Sequence, residues 1–233
     1  MQLLNEHTIS HELYLYETHR EKLVGNAFYL SLLTDLKKAT FFNKGTLHAI
    51  DSTIEKKCLE EPRSYYIPEG ADCLPALWGA MTLGSDIIAN LQEKIFDHIF
   101  VDAGTGFSAI GLLLSLASLS KLSSIHIVSM AIDEATFIQK LKYYLEAFGG
   151  FSLEELPSYF FYYPSKLKSF GSTSKNLFTF IESFAKEEGV LLDPIYSAKL
   201  LLEAEAIMDR KSLKGSILLV HSGGALSLSG FCK

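Results

Sequence analysis

The stretch of sequence that decides the fold is Phe100-Val-Asp-Ala-Gly-Thr-Gly-Phe-Ser-Ala-Ile-Gly111. An apolar strand leads into Gly104-Thr105-Gly106, and a helix is predicted to begin near Ser108. Glycine lets the backbone approach an anion closely, and the free N–H groups and dipole of a helix N-terminus attract negative charge. The segment therefore predicts a loop that holds a phosphate or a carboxylate, with the Thr105 and Ser108 hydroxyls as further donors. Tight strand-to-helix turns also use glycine for structural reasons alone, so this loop does not fix a function.

Short apolar strands alternate with helices on both sides of this loop. Strands are predicted at His98–Val101, Ser124–Met130 and Ser216–Val220, and helices at Leu74–Leu91, from the loop to about Ser120, at Glu134–Phe148, Asn176–Glu188 and Ser197–Met208. Such alternation predicts an α/β protein with a parallel sheet flanked by helices. The first 62 residues are more polar and look helical in places.

Composition excludes several classes of function. The 233 residues carry a net charge of −6 and contain no basic stretch, which argues against nucleic-acid binding. The longest apolar run, Ile110–Leu119, is too short to span a bilayer, and the polar N-terminus does not look like a secretory signal. Three scattered cysteines and seven dispersed histidines indicate neither a disulfide framework nor a metal site. We therefore expect a cytoplasmic protein with no membrane or nucleic-acid partner.

Three further segments accompany the glycine loop: Tyr66-Ile-Pro-Glu-Gly-Ala-Asp-Cys-Leu-Pro-Ala-Leu-Trp-Gly79, Glu188-Gly-Val-Leu-Leu-Asp-Pro-Ile-Tyr-Ser-Ala-Lys199 and Val220-His-Ser-Gly-Gly-Ala-Leu-Ser-Leu-Ser-Gly-Phe231. In this order, the four segments resemble the 1-aminocyclopropane-1-carboxylate deaminase and D-cysteine desulfhydrase family of fold-type-II pyridoxal-phosphate enzymes. The resemblance covers residues 64–231. It implies a tryptophan synthase beta-like fold that lacks its N-terminal part, with a remnant of the small domain at 1–80 and a large cofactor-binding domain at 81–233.

The resemblance also implies which residues form the site. Pyridoxal phosphate would be the cofactor, and its phosphate would be held by Gly104, Thr105, Gly106 and Ser108. Ser222 would lie near the pyridine nitrogen, where a hydroxyl suits a neutral ring. Tyr196 would be a catalytic residue beside substrate and cofactor, and Ser197 its cofactor-binding neighbour. Phe107 stands where the family usually has a glycine.

The family's Schiff-base lysine, in a Gly-Asn-Lys-like motif, and the Ser-Asn-His segment that follows it have no counterpart here. The match begins around Glu21–Asn26, after both motifs, and Lys44 lies at the wrong place to substitute for the lysine. Phe170 replaces a second active-site tyrosine. We therefore expect a diverged relative, N-terminally truncated, that is catalytically impaired by itself.

Three interpretations stay open from the sequence. The chain is a non-catalytic protein that still binds a phosphate-bearing or small amino-acid-like ligand. Alternatively, it is one half of a split enzyme, in which a partner chain carries the lysine; a second copy or that partner would cover the surface left by the missing part. In the third interpretation it is an S-adenosylmethionine-dependent methyltransferase, with Asp133 near the ribose hydroxyls.

Overall fold

The computed structural model describes residues 2–17, 24–43, 47–90, 95–120, 123–166 and 170–231. The chain divides into two compact units. The smaller unit runs to Tyr66 and includes the chain from Leu226 onward, and the larger unit is Ile67–Ala225. The predicted domain division at residue 80 stays a prediction. Lys44 and the residues 21–23, which the sequence analysis singled out, lie outside the described residues.

The smaller unit contains short helices and one pair of strands. Its elements are α1 (Gln2–Glu6), β1 (Tyr14–Tyr16), α2 (Asn26–Leu33), β2 (Thr40–Phe42) and α3 (Leu47–Glu60). The strands are parallel, with Leu15 opposite Phe41. Lys57 of α3 donates hydrogen bonds to the Glu12 carboxylate at 2.6 and 2.8 Å, which ties this helix to the segment before β1.

The larger unit is built on a parallel sheet of four strands. These are β3 (His98–Ala103), β4 (Ser124–Ser129), β5 (Tyr159–Tyr162) and β6 (Ile217–Leu219), in the spatial order β5-β4-β3-β6. All three pairings are parallel, with Phe100 opposite His126 on one side and Leu219 on the other. This confirms the predicted α/β class and its parallel sheet. The predicted strands are present, whereas β5 was not predicted.

Helices cover both faces of this sheet. The larger unit has α4 (Leu77–Asn90), α5 (Phe107–Ser118), α6 (Glu134–Phe148), α7 (Lys175–Glu188) and α8 (Ser197–Lys211). One core packs α4, α5 and α6 against the strand residues Ile99, Val101 and Ile127, and α8 packs on Phe100 and Val128 of the opposite face. Helices α4 and α5 pack closely at Gly111. A Cβ on Gly111 would lie 2.6 Å from the Ala80 backbone, so only glycine fits there.

Within the described residues, no helix is both long and apolar enough to cross a membrane. In the same residues, no group of three or more histidine, cysteine or acidic side chains is arranged to hold a metal ion.

Candidate functional site

The site lies where the order of the strands reverses. From β3 the chain adds β4 and then β5 on one side, and it later returns to place β6 on the other side of β3. In open parallel sheets, ligands bind at the carboxyl ends of the strands at such a reversal. Here the glycine loop follows β3, and the segment His221–Gly224 follows β6. Two of the segments predicted from the sequence therefore meet at one edge of the sheet.

The glycine loop has the geometry that an anion requires. Gly106 is the N-cap of α5 with φ +85°, a left-handed conformation that favours glycine. The N–H groups of the first turn of a helix have no partner within the helix. The Phe107 N–H donates to the Thr105 hydroxyl oxygen at 3.4 Å, which leaves those of Ser108 and Ala109 for a ligand. Ser108 is exposed in this first turn, and Thr105 is partly exposed. Phe107 is 5% exposed and packs on the Tyr144 ring at 5.1 Å between centroids, so it does not fill the loop.

Tyr196 lies directly against this loop. A Cβ built on Gly104 would be 3.2 Å from its ring and 3.4 Å from its hydroxyl oxygen, so the ring and the loop are in contact only because residue 104 is glycine. Burial, followed by the negative charges of Asp102, Asp193 and Glu69, raises the pKa of the Tyr196 phenol. The hydroxyl therefore stays protonated at neutral pH and acts as a hydrogen-bond donor rather than as a base.

Phe170 lies beside Tyr196, with 6.0 Å between the ring centroids and an edge-on orientation. The resemblance places an active-site tyrosine at position 170, and the ring here does contact the tyrosine of the site. Phenylalanine supplies the ring without the hydroxyl, so a polar group of the family's pattern is absent at this place.

Asp193 holds Tyr196 in position. The fully buried carboxylate accepts hydrogen bonds from the backbone N–H groups of Ile195, Tyr196 and Ser197, each at 2.8 Å. The Ser197 hydroxyl donates to Asp193 Oδ2 at 2.7 Å and accepts from the Asp193 N–H at 2.7 Å. Ser197 is completely buried in this network, so its hydroxyl is used to shape the start of α8.

Asp102 is the least expected member of the site. It is the last residue but one of β3 and is 8% exposed, and among the described residues its Oδ1 is one of three buried side-chain oxygens without a hydrogen-bond partner. The Ser222 hydroxyl lies close enough to lower the pKa of its carboxyl group. Burial raises its pKa, the Ser222 hydrogen bond opposes that shift, and the Asp193 charge adds to it.

A polar cluster joins the Pro68–Asp72 segment to the glycine loop. Lys140 of α6 donates hydrogen bonds to the Asp72 carboxylate and to the Thr105 carbonyl oxygen, the latter at 3.2 Å. Tyr144 donates to Asp72 Oδ1 at 2.7 Å. Because a Cβ on Gly70 would lie 2.8 Å from the Thr105 side chain, the two segments are also in direct contact.

Lys199 is the second lysine of this region. It is 4% exposed, and its Nζ lies 3.4 Å from the Ser172 hydroxyl. Burial lowers the pKa of its ammonium group, and the Asp193 charge partly opposes this shift. Lys140 and Lys199 both lie next to residues of the site, namely Thr105 and Asp193.

Comparison with known proteins bears on these segments directly. No family model matches the chain. Across 97% of its length the chain is 25% identical to the bifunctional D-cysteine desulfhydrase/1-aminocyclopropane-1-carboxylate deaminase of Arabidopsis thaliana, and across 88% it is 26% identical to a putative 1-aminocyclopropane-1-carboxylate deaminase of Pyrococcus furiosus. A D-cysteine desulfhydrase of Serratia proteamaculans is 24% identical over 72% of the chain. The chain is a relative of these deaminases and desulfhydrases.

The fold of the deaminase relatives is confirmed by solved structures. A 1-aminocyclopropane-1-carboxylate deaminase homologue superposes with a TM-score of 0.79 at 20% identity, covering 98% of this chain and 70% of that one. A threonine deaminase of Solanum lycopersicum gives 0.57 at 15% identity, covering 91% and 62%. The solved structures confirm the predicted fold, and the curated relatives confirm the resemblance to 1-aminocyclopropane-1-carboxylate deaminases and D-cysteine desulfhydrases. The chain spans 58%, 64% and 53% of the three curated relatives named above.

The predicted site residues fall into two groups. Gly104, Thr105, Gly106, Ser108, Tyr196 and Ser222 gather at one edge of the sheet, whereas the Ser197 hydroxyl is bonded to Asp193 beneath it. Asp133 caps α6, where it accepts hydrogen bonds from the Thr136 N–H and hydroxyl at 2.9 and 2.7 Å. The sequence analysis did not single out Asp102 and Lys140. The sequence could have indicated Asp102 as a site residue, because it is the one acidic residue in the strand His98–Ala103.

Proposed function

We propose that this chain binds pyridoxal phosphate non-covalently at the carboxyl edge of its sheet and does not by itself catalyse elimination from D-cysteine or ring opening of 1-aminocyclopropane-1-carboxylate. One observation carries the proposal. Three separate segments that resemble the family's cofactor segments converge: the glycine loop after β3 contacts Tyr196, and Ser222 follows β6, the strand that pairs with β3.

The residues at this edge fit such a ligand. The first-turn N–H groups of α5, with the Thr105 and Ser108 hydroxyls, would hold the phosphate. Tyr196, protonated at neutral pH, would donate a hydrogen bond to an oxygen of the ligand or the substrate. When bound, pyridoxal phosphate supplies an electron sink that stabilises a carbanion at the substrate's α-carbon. Asp102 and Ser222 would face the far side of the ring from the phosphate.

Lys140 supports the non-covalent part of the proposal. Its amine is held by the Asp72 carboxylate and the Thr105 carbonyl oxygen. Lys199 is buried beside Ser172, and burial lowers its pKa, so Lys199 is the lysine whose covalent adduct a reduction experiment must exclude. Phe170 further lacks the hydroxyl that the family's pattern would supply for proton transfer.

A split enzyme is the second candidate. It is favoured by the convergence of family segments in a chain that spans 53–64% of the curated relatives named above. In that case a second chain with a Gly-Asn-Lys segment would supply the lysine, and mixing the two chains would restore turnover. A cytoplasmic location and a homodimer or partner chain stay predictions from the sequence.

The binding part is tested by titrating the purified chain with pyridoxal phosphate and following its absorbance. Ser108→Asp places a negative charge where the phosphate would bind, while an acidic residue in the first turn of a helix does not harm the helix. We expect saturable binding by the wild type and a loss of at least about tenfold in affinity for Ser108→Asp, equivalent to about 1.4 kcal/mol.

Ser152→Asp is the matched control. Ser152 is exposed and caps a short turn before the amino end of β5, at the opposite edge of the sheet, and aspartate caps such turns equally well. Equal binding by the wild type and Ser108→Asp, or no binding by the wild type, would overturn the proposed site. Turnover of D-cysteine or 1-aminocyclopropane-1-carboxylate by the purified chain, lost in Tyr196→Phe, would overturn the claim that the chain alone is inactive.

A further inference from the structure

Asp102 Oδ1 is a buried oxygen to which none of the described residues donates a hydrogen bond. A buried polar atom without a partner is uncommon in folded proteins and is destabilising, more so when the group is charged. Asp102 Oδ1 is such an atom, in a side chain that is 8% exposed. A carboxylate oxygen accepts hydrogen bonds, so the missing partner is an N–H or O–H group.

The position of Asp102 identifies the end of the ligand that would reach it. Asp102 lies near the end of β3, and Ser222 lies three residues after the end of the paired strand β6 and lowers the pKa of the Asp102 carboxyl group. The Asp102 charge acts on Tyr196, which lies against Gly104. The phosphate-binding groups lie in the loop that begins two residues after Asp102. A ligand held by its phosphate in that loop would therefore present its other end to Asp102 and Ser222.

We propose that Asp102 Oδ1 accepts a hydrogen bond from the protonated ring nitrogen of the bound pyridoxal-type ligand. This inference rests on the proposed function and changes one expectation drawn from the sequence, that Ser222 meets a neutral ring nitrogen. A hydroxyl can face either form of the ring, whereas a carboxylate at hydrogen-bond distance favours the pyridinium form. The Asp102 carboxylate and the ring nitrogen share a single proton, and no other group gains or loses a proton.

The charges around Asp102 agree with this assignment. The charges of Asp102, Asp193 and Glu69 all act on Tyr196, so the part of the site next to Tyr196 is acidic. Burial raises the pKa of Asp102, which means that an unpaired charge on this carboxyl is disfavoured. A pyridinium N–H would stabilise the ionised carboxylate, because it brings both a positive charge and the hydrogen-bond donor that Oδ1 lacks.

The test uses 4-deoxypyridoxine 5′-phosphate labelled with ¹⁵N in the ring. This probe carries the ring and the phosphate but no aldehyde, so it cannot react with a lysine. Its ¹⁵N chemical shift, followed against pH in the complex, reports the protonation of the ring nitrogen. We expect the bound wild-type complex to keep the ring proton to a pH about one to three units higher than the Asp102→Asn complex does.

Three variants make the result specific. Ser222→Ala should keep the pyridinium shift, because the proposed partner is the carboxylate. Asp86→Asn is the matched control, since Asp86 is exposed on α4. Bound probe with the same ring titration in the wild type and Asp102→Asn, or a ring titration altered by Ser222→Ala alone, would overturn the inference and leave the proposed function intact. Failure of the wild type to bind either the probe or pyridoxal phosphate would overturn both.

Discussion

At the scale of single residues, a histidine in the sheet shows how strongly burial changes chemistry. His126 is 2% exposed and is stacked between Phe100 and Phe160, with ring centroids 4.4 and 5.3 Å away. Its ring nitrogens lie 3.0 Å from His98 Nδ1 and 3.1 Å from the Tyr162 hydroxyl. Burial, with the neighbouring His98 as a smaller cause, lowers the pKa of His126 to about 4. The imidazole is therefore neutral in the folded protein at neutral pH.

This neutrality predicts a pH dependence of stability. An unfolded histidine has a pKa of about 6.5, whereas folded His126 has a pKa of about 4. Between these two pH values the unfolded chain binds a proton at this histidine that the folded chain does not bind. His126 therefore lowers the free energy of unfolding as the pH falls through this range, by at most about 1.4 kcal/mol per unit. His126→Phe should show a smaller loss of stability in urea between neutral pH and pH ~5.

The same substitution at exposed His7 controls for the loss of a histidine. A His126→Phe variant whose stability falls with pH as steeply as that of the wild type would show that His126 is not the buried neutral group.

At the scale of elements, the segment before α4 and the glycine loop are joined through α6. Asp72 of the segment before α4 is the residue that Lys140 and Tyr144 of α6 bind. The Lys140 and Asp72 side chains are 31% and 12% exposed, so this is a partly buried ion pair. Through Lys140, this ion pair joins the segment before α4 to the glycine loop.

Removal of this contact should affect both stability and binding. Lys140→Met leaves the Asp72 carboxylate with the Tyr144 hydroxyl and removes the hydrogen bond to the Thr105 carbonyl oxygen. We expect a loss on the order of 1–3 kcal/mol in the free energy of unfolding in urea, because a partly buried charge loses its partner. Weaker binding of pyridoxal phosphate should accompany it.

Lys186→Met on α7 is the matched control. Lys186 pairs with Glu182 at 2.6 Å, but both side chains are about 70% exposed (72% and 68%), and such pairs contribute little. Equal effects of the two substitutions would show that the Lys140 pair does not position the loop.

The elements that the sequence did not predict share a physical cause. β5, Tyr-Phe-Phe-Tyr, lies at the edge of the sheet and has no clear alternation of polar and apolar residues, so its pairing with β4 defines it rather than its own pattern. Each strand of the pair β1 and β2 has three residues, too few for a periodic signal. In contrast, β3, β4 and their helices have long buried runs, which is why they were predicted correctly.

At the scale of the whole molecule, the sequence motifs converge because the order of the strands reverses. The glycine loop and Ser222 are more than a hundred residues apart in the sequence, yet the reversal places β3 beside β6 and so brings their carboxyl ends together. The family resemblance identified these segments. It could not reveal that the Ser197 hydroxyl is hydrogen-bonded to Asp193 or that Asp102 Oδ1 has no hydrogen-bond partner among the described residues. Those two facts depend on packing between α8, β3 and β6, which no local pattern encodes.

The central claim is that this arrangement holds pyridoxal phosphate without a covalent bond. The most direct measurement is borohydride reduction of the chain saturated with pyridoxal phosphate, followed by intact mass and peptide mapping. Ser108→Asp, treated in the same way, gives the background of unspecific lysine labelling. We predict saturable binding by the wild type and no reduced adduct above that background. A single stable adduct on Lys140, Lys199 or another lysine, above that background, would contradict the account.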